Sequence, residues 1–271
     1  MVIPSPSVIP STFASLSAGS ARDLQFAIQA HDLTRAFDEF VAVDRITFDV
    51  RAGEVFGFLG ANGAGKTTAI RMLTGLLKPT TGQATVAGHD VARQTEDVKR
   101  SIGYMSQRFS LYDDLTVSEN IRLYGSIYDL SGAEIAERMR RMLSRLGLER
   151  AENELVSALP LGWKQKLAFS VALLHEPQVV FLDEPTSGVD PITRRQFWEM
   201  IYESAHAGTT VLVTTHYMDE AEYCDRISIM VNGRIEAIGT PRELKEGAGV
   251  SSIDEFFVRL ARPQSGRAPQ S

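Results

Sequence analysis

The sequence predicts an α/β fold: a phosphate-loop core with a mixed or parallel sheet, an antiparallel β subdomain and a helical insertion. Three observations carry this. Gly60, Gly65, Lys66 and Thr67 fill a Gly-x-x-x-x-Gly-Lys-Ser/Thr pattern between a strand-like run and a helical one. A second apolar run, 179–182, ends in the carboxylates Asp183 and Glu184, the form of a central parallel strand presenting acids at its C-terminal edge. Between these two, residues 109–174 read mostly as helix, an insertion in an otherwise alternating chain.

A chain of 271 residues with 44% apolar content can bury a substantial core. Its single cysteine, Cys224, excludes an internal disulfide and has no partner at metal-ligand spacing, so a buried, inert thiol is expected. The formal net charge of −6 and a pI near 5.5 argue against the broad basic footprint of a nucleic-acid binder. No apolar run approaches membrane-spanning length. Residues 1–20 are rich in Ser and Pro and lack a basic segment ahead of the apolar residues, which speaks against a signal peptide. Residues 1–22 and 262–271 are expected to be disordered tails.

In chain order, residues 26–33 and 42–50 alternate apolar and polar positions around a turn at Asp38-Glu39, which predicts an antiparallel β layer. Phe37 lies between these strands; a phenylalanine there is either core or an exposed ring able to stack on a purine. Residues 54–59 form a short buried strand feeding the glycine-rich loop. Its glycines let the backbone turn tightly and aim successive N–H groups at an anion. Lys66 then reaches the terminal phosphates, Thr67 offers a hydroxyl to magnesium, and a helix over 69–77 adds its N-terminal dipole.

Strands follow at 83–87 and 102–106, the second leading to Gln107, which can reach a metal or a water as a neutral ligand. Two capping boxes, Thr116-x-x-Glu119 and Ser131-x-x-Glu134, open helices. Ile135, Met139, Leu143 and Leu146 recur at helical spacing up to Gly147, and the intervening arginines form a solvated face. Asp183 is suited to hold magnesium, and Glu184 to accept a proton from, or orient, a water attacking the terminal phosphate. Asp190-Pro191 starts a helix as N-cap and first residue. His216 follows the buried strand 210–214 just as Gln107 and Asp183 follow theirs. The three converge on the edge where open α/β sheets bind ligands, so His216 is read as a contact to the terminal phosphate. Asn232-Gly233 signals a type I′ hairpin, and Thr240 caps a short final helix.

In this order the parts resemble the ATP-binding subunit of an ABC (ATP-binding cassette) transporter, over residues 23–261. The resemblance makes the fold a P-loop NTPase core within an ABC nucleotide-binding domain. It makes Phe37 the adenine-stacking aromatic and residues 60–68 the Walker A loop, with Asn62, Gly63, Ala64 and Thr68 joining Gly60, Gly65, Lys66 and Thr67 as nucleotide contacts. Gln107 falls in the Q-loop, with a catalytic and a metal-binding role; residues 179–183 resemble the Walker B strand, Glu184 the catalytic glutamate, residues 187–190 the D-loop and His216 the switch histidine. The implied cofactors are ATP and Mg2+.

Residues 109–120 resemble subunits of ABC-2-type exporters, commonly implicated in efflux of drugs, lipids or polysaccharides. This implies a separate ABC-2-type membrane permease as partner, a peripheral position on the cytoplasmic face of the cell membrane, and a docking role for exposed Phe109, Leu111 and Tyr112. It also implies head-to-tail pairing with a second cassette around two nucleotides. One departure stands out: where the family carries Leu-Ser-Gly-Gly-Gln, this chain reads Leu159-Pro160-Leu161-Gly162-Trp163. Gly162 keeps a nucleotide-contacting position, but Pro160 lacks both hydroxyl and N–H, and Leu161 adds bulk. A non-catalytic cassette paired with a competent one therefore stays open as an alternative. A ribosome-acting protein would ordinarily carry two cassettes, and a chromosome-maintenance ATPase a long coiled coil; this chain shows one set of motifs and a short insertion.

Overall fold

The computed structural model describes residues 25–107 and 111–261. The expected terminal tails and Phe109 lie outside them. Two sheets stack at the centre. The first is antiparallel, in the order β2-β1-β4-β5, built from β1 (Phe26–Phe37), β2 (Phe40–Arg51), β4 (Thr81–Val86) and β5 (His89–Asp90). The second has six strands in the order β10-β9-β3-β8-β7-β6, from β3 (Val55–Leu59), β6 (Ile102–Met105), β7 (Val179–Asp183), β8 (Thr210–Thr215), β9 (Arg226–Val231) and β10 (Arg234–Gly239). Five of these run parallel, and β10 returns antiparallel at the edge.

The three central strands β3, β7 and β8 are buried at every position, as a sheet covered on both faces requires. Successive side chains point to opposite faces. Val55 and Leu59 of β3, with Val180, Leu182, Val211 and Val213, pack into the core shared with the helical insertion. Phe56, Phe58, Phe181 and Leu212 pack into the core beneath the antiparallel sheet. The sheet thus separates two cores, and its strand ends between them carry the polar groups described below.

Helix α1 runs over Lys66–Leu73, three residues earlier than expected, and Gly75 at φ 72° follows its cap at Thr74. The short α2 (Thr95–Ser101) leads into β6. Both predicted capping boxes form, at the starts of α3 (Val117–Ile127) and α4 (Gly132–Leu146), and Gly147 ends α4 in the left-handed region at φ 68°. Ile135, Met139, Leu143 and Leu146 are the buried face of α4. α5 (Leu161–Ala172) follows, then β7 and α6 (Pro191–His206), capped by Asp190 with Pro191 at its first position. A 3-10 turn over Met218–Tyr223 follows β8. Thr240 opens α7 (Pro241–Ala248), which is not the last helix: α8 (Ile253–Ala261) follows and buries Ile253. Cys224 is buried as expected, and burial pushes its thiol pKa well above the ordinary value, which keeps it inert.

Candidate nucleotide-binding site

The glycine-rich loop is shaped by what lies behind it. A Cβ on Gly60 would sit 2.5 Å from the Met230 carbonyl oxygen, and one on Gly65, at φ 106°, 2.5 Å from the Ala42 carbonyl oxygen. Both glycines are required by the packing of the loop against β9 and β2, in addition to their closeness to any bound anion. The tip of the β9–β10 hairpin braces the same loop: Gly233 N–H donates to the Ala64 carbonyl at 3.0 Å, and the Gly233 carbonyl accepts from Asp44 N–H at 2.8 Å. Asn232 and Gly233, at φ 48° and 80°, form the turn that the dipeptide predicts. Asn62 and Gly63 are exposed, Ala64 is buried, and Thr67 and Thr68 are half-buried in the first turn of α1.

Lys66 is 4% exposed. Its Nζ donates to the Gly60 carbonyl at 2.8 Å and the Ala61 carbonyl at 3.2 Å, and lies 3.5 Å from Glu184 Oε1. Burial pulls the pKa of this ammonium below the usual lysine value, opposed by the Glu184 charge.

The ends of β7 and β8 meet through one hydroxyl. Thr214 Oγ1 donates to Asp183 Oδ1 at 2.6 Å and accepts from Glu184 N–H at 3.0 Å. Thr67 Oγ1 donates to the same Asp183 oxygen at 3.4 Å. The other oxygen, Asp183 Oδ2, is buried and has no hydrogen-bond partner among the described residues. An orphaned carboxylate oxygen beside a threonine hydroxyl is a hard-oxygen donor pair that fits magnesium. Nearby, burial and the Asp183 charge push the Tyr104 hydroxyl pKa up to about 12, as expected for a poorly hydrated site.

Glu184 is the point where the elements converge. Its backbone is left-handed at φ 51°, an uncommon conformation for a non-glycine residue and one that clusters at functional sites. Its carboxylate Oε2 accepts from Gln107 Nε2 at 3.0 Å and lies 3.0 Å from His216 Nδ1, while Oε1 faces Lys66. Groups from the ends of β3, β6, β7 and β8 thus meet on one carboxylate that is only 8% exposed.

The expected residues stand in different relations to this cluster. Gln107, expected as a catalytic group and a metal ligand, is hydrogen-bonded to Glu184 and not to the Thr67–Asp183 pair. Phe37 is exposed, with the Arg35 guanidinium 4.5 Å from its ring centroid, so it is not a core residue. Gly162 packs against Thr193 at the start of α6, where a Cβ would meet Thr193 Cγ2 at 2.6 Å. Pro160 is the N-cap of α5 without any side-chain cap, its carbonyl accepting from Trp163 and Lys164 N–H, both at 3.0 Å. The expectation that Leu111 is exposed fails: it is 6% exposed and belongs to the core of the helical insertion, while Tyr112 beside it is 53% exposed. Chain reversal at this point turns one side chain in and its neighbour out. Thr214 was missed by sequence reasoning; its signal was a hydroxyl directly after the apolar run 211–213 of β8, and it lies in register with Asp183 on β7.

A glycine-rich loop opening a helix, with carboxylates at the end of a neighbouring parallel strand, makes this the nucleotide site of a P-loop fold; the antiparallel layer and helical insertion narrow the class to ATP-binding cassettes. Residues 43–187 match the ABC transporter family, and the chain belongs to it. It is similar to the probable multidrug ABC transporter ATP-binding protein YbhF of Escherichia coli K12, at 50% identity over 86% of this chain, and spans 41% of that protein's length. It is 36% identical to the linearmycin resistance ATP-binding protein LnrL of Bacillus subtilis, over 87% of this chain and 78% of that one. Among solved structures it is similar to an ATP-binding subunit of an ABC transporter, with a TM-score of 0.79 and 32% identity over 87% of this chain and the whole of that one.

Proposed function

We propose that this chain is the ATP-hydrolysing motor of a membrane exporter, and the observation that carries the proposal is the Glu184 carboxylate held jointly by Gln107, His216 and Lys66. The loop N–H groups and Lys66 bind the phosphates and neutralise charge as it develops. Thr67 and Asp183 would hold magnesium, which when bound supplies Lewis-acid stabilisation of phosphate charge. Glu184 orients the attacking water and draws on its proton, and Gln107 and His216 fix the carboxylate and sense the terminal phosphate. Phe37 offers its free ring face to adenine.

Two exposed apolar pairs suit two protein partners. Tyr112 and Leu155 are exposed on two segments joined by backbone hydrogen bonds, from Val156 N–H to the Leu115 carbonyl and from Ser157 N–H to the Asp113 carbonyl. They fit a docking helix of an ABC-2-type permease, which would hold the chain at the cytoplasmic face of the membrane; no helix among the described residues is long and apolar enough to cross one. Leu161 and Ile192 flank the Gly162–Thr193 contact and fit a second cassette, whose nucleotide Gly162 would approach. The exported molecule belongs to the classes handled by such exporters, drugs or lipids among them. The test is MgATP turnover by the purified chain and by Glu184→Gln: wild-type turnover with binding retained and turnover lost in the variant supports the reading, and equal rates in both overturn it. A second reading, a cassette that binds ATP without hydrolysing it, is favoured by Pro160 alone; binding without turnover in the paired assembly would establish it.

A further inference from the structure

Glu220 is fully buried, and nothing in the chemistry above uses it. It lies in the 3-10 turn four residues after His216. Its Oε1 accepts from Thr186 Oγ1 at 2.6 Å, the short distance of a hydroxyl bonded to a carboxylate, and Thr186 is itself buried two residues after Glu184. The Arg194 Nε of α6 stands 3.6 Å from the same oxygen. The Arg194 guanidinium lies 4.3 Å from the Tyr217 ring centroid, and the Tyr217 ring 4.2 Å from that of His216. Glu220 is therefore tied to the Glu184 loop through Thr186 and to His216 through Arg194 and Tyr217.

A buried carboxylate is costly to keep, and a well-packed apolar residue in its place is often neutral or stabilising. Its local effect is to hold two loops in one relative position. We propose that Glu220, acting through Thr186 and Arg194, is a positioning residue that sets the placement of Glu184 against His216 for attack on the terminal phosphate. The proposal rests on the hydrolytic reading above. Misplacement of a catalytic group by a fraction of an ångström slows chemistry more than it weakens binding of a nucleotide held by another loop.

Two measurements on the full chain test this: steady-state MgATP hydrolysis, and the 15N resonance of the His216 Nδ1, assigned through its loss in His216→Asn. Thr186→Val should lower kcat about tenfold with KM changed by less than about twofold, and should move the resonance, while Thr186→Ser restores both. Should Thr186→Val not fold, Glu220→Gln keeps shape and one acceptor oxygen and is read in the same two ways. A folded valine variant with wild-type kcat and an unmoved resonance overturns the proposal, as does a rise in KM alone or a serine variant as slow as the valine one. A wild-type chain that binds MgATP without turnover defeats only the hydrolytic reading, and the resonance then decides the positioning by itself.

Discussion

The phosphate loop with its strand-end acids and the start of α5 are both motifs at element ends, yet they are built in opposite ways. In the first, Lys66, Asp183 and Glu184 are buried and each is bonded to another element of the same chain. In the second, Pro160 caps the helix with no side-chain hydrogen bond, and Leu161 is 47% exposed. A hydrogen bond joins them: buried Gln165 of α5 donates from Nε2 to the Ser187 carbonyl at 3.2 Å, in the loop that follows Glu184. A site finished within the chain can be preorganised on folding, whereas one left open at a surface depends on a partner to complete it.

The largest expected effect lies on the closed side. Lys66→Ala removes the only cation bonded to the loop among the described residues and should cut MgATP affinity or turnover by about a hundredfold or more, measured by nucleotide titration and phosphate release. Unchanged binding and rate would break the assignment. Glu184→Gln keeps the shape and the acceptor oxygen but not the base, and should slow turnover by about 10²–10⁴ while ATP binding persists.

On the open side the effects are smaller and of opposite sign. Pro160→Ser combined with Leu161→Gly should raise the basal rate of the purified chain about ten- to hundredfold, because a charge-assisted hydrogen bond made only on the proposed pairing is worth roughly 1.5–3 kcal/mol. A robust unmodified rate that the double substitution lowers would show that this helix start is competent as it stands.

The exposed and buried members of the adjacent pair Leu111 and Tyr112 give the finest test. Tyr112→Ser with Leu155→Ser should release the chain from membranes that contain the proposed permease, read by sedimentation, with ATP binding intact and the melting temperature shifted by only a few degrees. Leu111→Ser should instead destabilise the fold by about 3 kcal/mol, read by denaturant unfolding, since it opens a cavity in the core of the insertion. A membrane-release phenotype from Leu111→Ser with unchanged stability would reverse the assignment of inside and outside at this corner.

Sequence by itself determined the features whose physics is local. A capping box is a contact between residues three apart, so Thr116, Ser131 and Thr240 announced helix starts that form as expected. The loop glycines, the Asn232-Gly233 turn and the buried runs of β3, β7 and β8 were legible for the same reason: backbone conformation and burial leave a mark within a few residues. Only the tertiary structure decided which side chains meet. Gln107 and His216 bond to Glu184 across 77 and 32 residues of chain, and Thr214 bridges Asp183 and Glu184 across 31 and 30. The Thr186–Glu220 bond spans 34. Strand order and register set these pairings, and β7 lies next to β8 and β6 although an entire helix, or several, separates each pair in the sequence. The same holds for Leu111, whose inward turn depends on the helices packed over it.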